Sequence, residues 1–591
     1  MIRARRDKNF QKRIFLWGLL ISFSIYGFCS SVALQKPFNL DEADFTSLAH
    51  NIKLSGRPIL YVAEDFVKDL CNLKLYSAEQ HLGYGLWHPP LYGNLLALWF
   101  KIFGETTLAG RLFGLFCAII SLFLCLIIIK EICTYENINK EDRFFISVLA
   151  SILYFINPLI LQFSLLIDID NSIQPILILL FFYIFIKNYR NDKLRFDIYL
   201  GLIFGISLLA KLPTPPLVLI SIFVFYLFER KIGKAFKKTF IIGFVGIIFF
   251  LLIWLTYAIS LSLPVNFFLV YNYGTKVLPI LKYKALFLLP LIKNTSIFFV
   301  SWVSPAFIIL AIIGMGDKLL NFIRTKKLSP LILLIIFSLV VWCAYTIFYP
   351  RGSMMKYQFI NYQIFIVIIS FLIFKYLKNL TMKELIISFI GGAIFLLFMF
   401  FRVPDSVMLS YNFLSKRAMI STIIFYLLPT FILPFGLSFL FSGTLKTKYL
   451  ILGFFVALLV YNISLDFKQV APYTTTNDWN NYGELGLKET IDYLDKNLSS
   501  EGTIICRKDV GYYLKEMKNR PKRKWYSNDN CFNLPFHEAT DFFQKIIKKD
   551  DIQYIELDRQ AVRTSYLPKA VFDYYSPDKQ IGDFLILRRN K

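Results

Sequence analysis

The sequence predicts a polytopic α-helical membrane protein with a small soluble α/β domain at its C-terminus. Three observations carry this. Of 591 residues 56% are hydrophobic and 62 are Phe, and the mean hydropathy is +0.55, far too apolar for an ordinary soluble protein. Apolar runs long enough to cross a bilayer recur about thirteen times. From about residue 473 the composition turns polar and strand-like runs appear. The formal net charge of +25 would suit a nucleic-acid protein only if Lys and Arg formed a contiguous soluble patch. They sit instead in short connectors between apolar runs, as membrane topology places them, so no nucleic-acid partner is expected.

The N-terminal stretch carries Arg3, Arg5, Arg6, Lys8, Lys12 and Arg13 ahead of an apolar run of spanning length. The positive-inside bias puts this end in the cytoplasm. The run lacks a small-residue cleavage site and reads as a retained signal anchor. Residues 36–106 form a long outer loop in which helical periodicity predicts two surface-lying helices, near 41–56 and 90–103. Further spans are expected at 107–130, 144–163, 171–187, 197–211, 213–229, 239–263, 286–315, 329–349, 358–377, 383–402, 418–442 and 447–465. Every second connector, among them KNYRNDKLRFD and ERKIGKAFKK, is rich in Lys and Arg, so count and orientation support each other. Thirteen spans place the C-terminus outside, on the side of the first loop. The expected division is a membrane domain over 1–472 and an extracytoplasmic domain over 473–591. In the latter DWNNYGELGLKETIDYLDKNLSSEGTIICRKDVGYYLKEM reads as a helix, a turn and a short buried strand, and DIQYIELDRQ and GDFLILRRNK as further β-like runs around the helical HEATDFFQKIIKKD. No solenoid-type repeat is present.

Cys29, Cys117, Cys125, Cys133 and Cys343 lie in or beside apolar runs and read as small core residues. Cys506 and Cys531 share the polar C-terminal region, but two cysteines establish no disulfide framework. The four His show no metal-ligand spacing, and no zinc site is expected.

The polar residues that stand out collect on the expected outer side. Asp41 and Glu42 open the first loop, and Asp168 and Asp170 lie in SLLIDIDNSIQPILIL, the short turn between the third and fourth spans. A carboxylate so close to apolar surroundings is costly unless paired, coordinated or used. For Asp41 the plain alternative is capping of the helix it opens. The cationic complement comprises Arg111 in TLAGRLFGLF, Lys211 in LLAKLPTPP, and Arg351 and Lys356 in YPRGSMMKYQF. Each alone can snorkel to headgroups; together they form a phosphate clamp. Pro213, Pro215 and Pro216 must break the helix after Lys211, and irregular backbone at membrane depth is expected where it lines a cavity.

In this order the motifs resemble those of the polyprenyl-phosphate-sugar-dependent GT-C glycosyltransferases, the superfamily of protein O-mannosyltransferases and lipid A aminoarabinose transferase (glycosyltransferase family 39 type). The resemblance rests on DEADFTSLAHNIKLSGRPI, HPPLYGNLLALWFKIFG, TLAGRLFGLF, IDIDNSI, AKLP and KYQFINYQ, and is strongest over residues 38–120. It implies a GT-C fold and inverting transfer of a sugar from a polyprenyl phosphate to a lipid, glycan or protein acceptor outside the cytoplasm. Asp41 matches the family's acidic position of catalytic importance, with Glu42 beside it as support. Asp170, or its neighbour Asp168, matches the second acidic position. Arg111, Lys211, Lys356 and Tyr357 match positions near the donor phosphate or the cavity wall. His88 stands where many bacterial relatives have Lys, and Asp44 where some have Arg, so the clamp can differ here.

The chemistry needs a carboxylate to orient or deprotonate the acceptor and cations to stabilise the departing phosphate. Asp41 suits the first role; Lys211 and Arg111, with His88 or Lys356, suit the second. Paired carboxylates such as Asp41 and Asp170 also suit Mg²⁺ or Mn²⁺, though the sequence does not require a metal. The rival reading is a transporter or flippase of lipid-linked sugars. That would place ionisable residues at mid-membrane in two related halves, whereas this chain gathers its acids at outer loop ends. The Lys-, Ile- and Phe-rich composition points to an AT-rich bacterial genome, hence the inner membrane and an undecaprenyl carrier, with a monomer expected. The sites at Asn294 and Asn497 fit Asn-x-Ser/Thr, which a eukaryotic lumen also admits.

Overall fold

A computed structural model describes residues 2–34, 40–58, 88–263, 304–347, 355–394 and 428–470, a few single positions apart, and the C-terminal segments 486–499, 502–507, 525–527, 552–558, 571–582 and 584–590 with a few residues between them. The chain divides into two compact units: Met1–Leu34, Arg111–Ser260 and Asn272–Thr474 form the first, and Gln35–Gly110, Leu261–Tyr271 and Thr475–Lys591 the second.

The first unit is helical. Six helices among the described residues are long and apolar enough to cross a membrane: Lys12–Val32, Thr107–Tyr135, Ile232–Ser260, Pro305–Thr325, Phe359–Leu377 and Thr447–Phe467. Counting one bent pair as a span makes seven among the described residues, so the thirteen predicted from sequence are not confirmed there. The runs at 171–187, 197–211 and 213–229 do form helices, Ile173–Asn188, Leu194–Ala210 and Pro215–Phe228, but of only 16, 17 and 14 residues. Turn residues Asp168–Ser172 and the proline cluster after Lys211 cut them short. Much of the expected spans at 286–315, 383–402 and 418–442 lies outside the described residues.

The run at 144–163, predicted as one span, is two helices, Lys140–Phe155 and Pro158–Leu165, bent by 64°. Asn157 and Pro158 cause the break. The Asn157 side chain accepts from the backbone amides of Leu159 and Ile160 at 3.0 and 3.1 Å, a cap that restarts the helix. Pro158 occupies its first turn, where a missing N–H costs nothing.

Phe359–Leu377 is the central helix, with every residue from Phe359 to Ile373 buried, as expected of a helix apolar all round. Leu194–Ala210 and Ile232–Ser260 cross closely through glycines. A Cβ on Gly205 would lie 2.6 Å from the Gly246 carbonyl, and one on Gly201 would lie 2.7 Å from the Val245 Cβ, the small-residue contact that lets membrane helices approach. The same pair of helices buries an ion pair, Lys238 Nζ to Asp197 Oδ1 at 2.7 Å.

In the second unit the loop helices appear at Leu40–Ser55 and Leu91–Phe103, close to the predicted 41–56 and 90–103. They pack through Gly93, where a Cβ would meet the Leu48 side chain at 2.9 Å. Glu105 ties their ends, accepting from His50 Nδ1 at 2.6 Å and Lys53 Nζ at 3.2 Å. The C-terminal part holds a five-stranded sheet in the order β2-β1-β3-β5-β4. The strands are β1 (Thr503–Cys506), β2 (Trp525–Ser527), β3 (Ile552–Asp558), β4 (Tyr575–Ile581) and β5 (Phe584–Arg589). β1 runs parallel to β2 and β3, while β5 is antiparallel to β3 and β4. Leu487, Ile491 and Leu494, one face of the helix Leu487–Asn497, pack with Ile504, Tyr554 and Phe584 from the sheet. That helix starts after Gly486 at φ +89, where a Cβ would also meet the Ile581 carbonyl at 2.7 Å; both facts demand glycine. β1, β3 and β5 are the strands read from the sequence. β4 escapes that reading because its polar Ser-Pro-Asp-Lys-Gln stretch suits only a sheet edge. Cys506 is buried on β1; Cys531 and most of the expected helix at HEATDFFQKIIKKD lie outside the described residues.

Candidate active site

The acidic turn follows directly from the short buried helix Pro158–Leu165. The Leu166 backbone is extended, and the chain then turns through Asp168–Ser172 before Ile173–Asn188 begins. Local hydrogen bonds fix this turn. Asp168 Oδ1 accepts from the Asp170 amide at 3.0 Å, an Asx-turn. Ser172 Oγ donates to the Asp168 carbonyl at 2.5 Å, and Asn171 Nδ2 donates to the Leu166 carbonyl at 3.0 Å and to that of Phe163. The two acids are therefore not equivalent: Asp168 shapes the turn, and Asp170 projects from it.

Asp170 meets Lys211. The Lys211 ammonium donates to Asp170 Oδ1, with side-chain exposures of 3% and 5%. Lys211 can reach because it ends Leu194–Ala210 in an extended conformation, and the prolines that follow keep the helix from continuing. Its ammonium also lies 4.4 Å from the centre of the Tyr357 ring, within cation–π range. Tyr357 comes from a short 3₁₀ turn, Met355–Gln358, and stacks on Tyr345 with centroids 5.4 Å apart and planes at 6°. The Tyr345 hydroxyl in turn hydrogen-bonds Thr214 Oγ1 at 2.5 Å, returning to the proline segment after Lys211. Carboxylate, ammonium and two aromatic rings thus form one chain of contacts across four sequence regions, buried save for the half-buried Tyr357.

Arg111 is fully buried and donates from a guanidinium nitrogen to the Leu165 carbonyl at 2.8 Å, so it braces the backbone leading into the acidic turn. One turn along the same helix, a Cβ on Gly114 would lie 2.4 Å from the Ser164 carbonyl. Tyr26 reaches the C-terminal end of the short helix Pro158–Leu165 by donating to Ser164 Oγ at 2.7 Å. Neither Tyr26 nor Ser164 stands out in the sequence, because a Ser and a Tyr within apolar runs are ordinary.

The remaining expected site residues belong to the second unit or to segments described only in part. Asp41 lies in the first turn of Leu40–Ser55, with its side chain outside the described set. Glu42 is buried, and its carbonyl accepts from Thr46 Oγ1 at 2.6 Å. His88 stacks against Phe45 with ring centres 6.2 Å apart, and Phe45 meets Tyr92 edge-on at 4.9 Å. Lys356 is in the 3₁₀ turn beside Tyr357, its side chain outside the described set, and Arg351 lies outside it altogether. Among the described residues no three His, Cys, Asp or Glu side chains converge as a metal site. Asp170, one half of the carboxylate pair considered for Mg²⁺ or Mn²⁺, already gives an oxygen to Lys211.

A further buried acid was missed. The sequence ended the last span at 465, but the helix runs on as Thr447–Val470. This takes Asp466 fully into the interior, where neither carboxylate oxygen has a hydrogen-bond partner among the described residues. Asn462, one turn earlier on the same helix, is equally buried, and its amide atoms likewise have no partner among the described residues.

The chain is similar to known proteins in part of its sequence and in its fold. Residues 87–255 match the profile of the dolichyl-phosphate-mannose-protein mannosyltransferase family (PMT_2). No curated protein matches the chain by sequence. The crystal structure of ArnT from Cupriavidus metallidurans bound to undecaprenyl phosphate superposes with a TM-score of 0.57 at 11% identity, covering 97% of each chain. The apo form of the same protein gives a TM-score of 0.53 at 11% identity, over 96% of this chain and 97% of that one. The fold is thus the GT-C fold, and the resemblance read from the motifs is borne out. The molecule is a multi-pass membrane protein, and these matches support a glycosyltransferase.

Proposed function

We propose that the chain moves a sugar from a polyprenyl phosphate, undecaprenyl phosphate in a bacterium, to an extracytoplasmic lipid, glycan or protein acceptor, with inversion at the anomeric carbon. The observation that carries this reading is the buried Asp170–Lys211 pair beneath Tyr357. A buried cation held by one carboxylate and one aromatic face is poised to trade part of its pairing for a phosphate oxygen. The undecaprenyl phosphate bound by the ArnT structure of the same fold favours the same donor class.

In the proposed step the acceptor hydroxyl or amine attacks the anomeric carbon opposite the phosphate. The new bond forms as the sugar–phosphate C–O bond breaks, its electron pair leaves on the polyprenyl phosphate, and the acceptor proton passes to Asp41. Lys211 stabilises the charge that grows on the phosphate, a preorganised cation in a low-dielectric site. Asp170 and Tyr357 hold its ammonium in place, with Lys356, Arg351 and His88 as further cationic or polar contacts for the donor. Arg111 acts through the Leu165 carbonyl as a positioning residue. Glu42 supports the helix that presents Asp41. The N-terminus is cytoplasmic, and the outer loop and C-terminal domain face outward from the inner membrane.

The test is Asp41→Asn in purified protein supplied with a radiolabelled polyprenyl-phosphate sugar. The variant should fold and insert normally and release no polyprenyl phosphate; near-normal turnover overturns the assignment. Movement of the intact lipid across liposomes by the unaltered protein, without release of polyprenyl phosphate, would establish the flippase reading instead.

A further inference from the structure

At the end of the first unit remote from the acidic turn lies a cavity of about 340 Å³, within the range of small-ligand sites. Pro305–Thr325 and Phe359–Leu377, both candidate spans, frame it together with the Glu136–Asn139 turn that follows Thr107–Tyr135 and with Asp142 of Lys140–Phe155, so it sits where helices leave the hydrocarbon for the headgroup layer. Arg111 and Tyr135 mark the two ends of Thr107–Tyr135, roughly 36 Å apart at 1.5 Å per residue. The cavity is therefore separate from the proposed transfer site.

Its wall changes character with depth. Ile368, Phe371 and Leu372 line it within the span, and Lys375 and Lys378 line it at the mouth; Ile368 and Lys375 are roughly 10 Å apart along the helix. Such a gradient suits an amphiphile. The charges at the mouth are unevenly matched. Glu136 accepts from Lys318 Nζ at 3.0 and 3.1 Å and from Ser329 Oγ at 2.6 Å. Asp317 accepts from Lys375 Nζ at 2.6 Å. Those two pairs neutralise each other. Two lining groups are left without an opposite charge among the described residues: the Asp142 carboxylate and the Lys378 ammonium, whose one recorded contact is the Phe374 ring at 5.7 Å. The mouth thus offers one acceptor anion and one donor cation.

We propose that this cavity binds a phospholipid with a phosphoethanolamine headgroup. Lys378 takes the phosphate, Asp142 accepts from the primary ammonium, and the glycerol end lies along Ile368, Phe371 and Leu372. A purely anionic headgroup satisfies Lys378 and leaves Asp142 facing like charge. A choline headgroup brings no N–H for Asp142 to accept. A two-point match of opposite charges is selective in a way that one lysine at a membrane surface is not.

Full-length protein, delipidated in detergent, is titrated with palmitoyl-oleoyl phosphatidylethanolamine, phosphatidylcholine or phosphatidylglycerol, and retained lipid is counted by native mass spectrometry. The ethanolamine lipid should be retained at least 5-fold over both others. Asp142→Asn and Lys378→Met should each remove that preference without changing the unfolding temperature. Competition by free O-phosphoethanolamine would show that the headgroup alone suffices; failure to compete would show that the lipid body is needed. Equal retention of the three lipids, or a preference untouched by both variants, overturns the proposal. The readout is independent of sugar transfer, so it stands or falls apart from the proposed function.

Discussion

The Lys211 ammonium lies 4.4 Å from the centre of the Tyr357 ring and donates to Asp170, although 41 residues separate it from Asp170 in the chain. Three segments are held by one cation at a site with almost no solvent. Removing that cation takes its ion pair from a buried carboxylate, and breaking a buried pair typically costs about 3–5 kcal/mol. Lys211→Met should therefore lower the thermal unfolding midpoint in detergent strongly. The double variant Lys211→Met/Asp170→Asn should recover most of it, because the leftover charge is gone. Both should lose transfer by about 10²-fold or more if Lys211 meets the leaving phosphate. Equal stability of the single and double variants would show that the pair is not coupled.

Gly114 sets the approach of its helix to the end of Pro158–Leu165, just before the acidic turn, since an added Cβ would sit 2.4 Å from the Ser164 carbonyl. Backbone cannot step aside as a side chain can. Gly114→Ala should cost about 1–3 kcal/mol and reduce turnover by displacing Asp170 from Lys211. Gly233→Ala is the control, having no neighbouring atom within 4 Å, and should be neutral in both unfolding and transfer assays.

Asp466 places a carboxylate in the protein interior with neither oxygen hydrogen-bonded among the described residues, a position in which charge is costly. Asp466→Asn keeps the shape and removes the charge. It should leave stability unchanged or raise the unfolding midpoint by a few degrees, equivalent to about 1 kcal/mol or more. A marked loss of stability or transfer would show that the acid is used.

In the C-terminal domain Tyr493 donates to Asp578 Oδ2 at 2.5 Å. That hydrogen bond, with burial and the neighbouring negative charge, pushes its hydroxyl up to about 12 from the ordinary value near 10. A raised folded-state value means the contribution is complete below about pH 10 and is lost as pH rises through about 12. Unfolding followed over this window should show a decline that Tyr493→Phe flattens, while at neutral pH the variant costs only about 1 kcal/mol.

The sequence by itself determined the class and most of the elements. Apolar runs and 3.6-residue periodicity act within a few turns of chain, so the helices Leu40–Ser55 and Leu91–Phe103 and the strands β1, β3 and β5 were legible. The order of motifs around Asp41, Arg111, Asp170 and Lys211 carried the family resemblance. Tertiary structure decided what depends on partners far away in sequence. Asp168 and Asp170 have the same chemistry and nearly the same neighbours. Only the turn's own hydrogen bonds and the approach of Lys211 give one the turn and the other the cation. The stacking of Tyr345 on Tyr357 joins two elements by packing, which no spacing encodes. Asp466 looked like the end of a span because an acid ordinarily stops one. The helix continues because neighbouring helices, not lipid, surround it, and burial by protein is a property of the assembled fold.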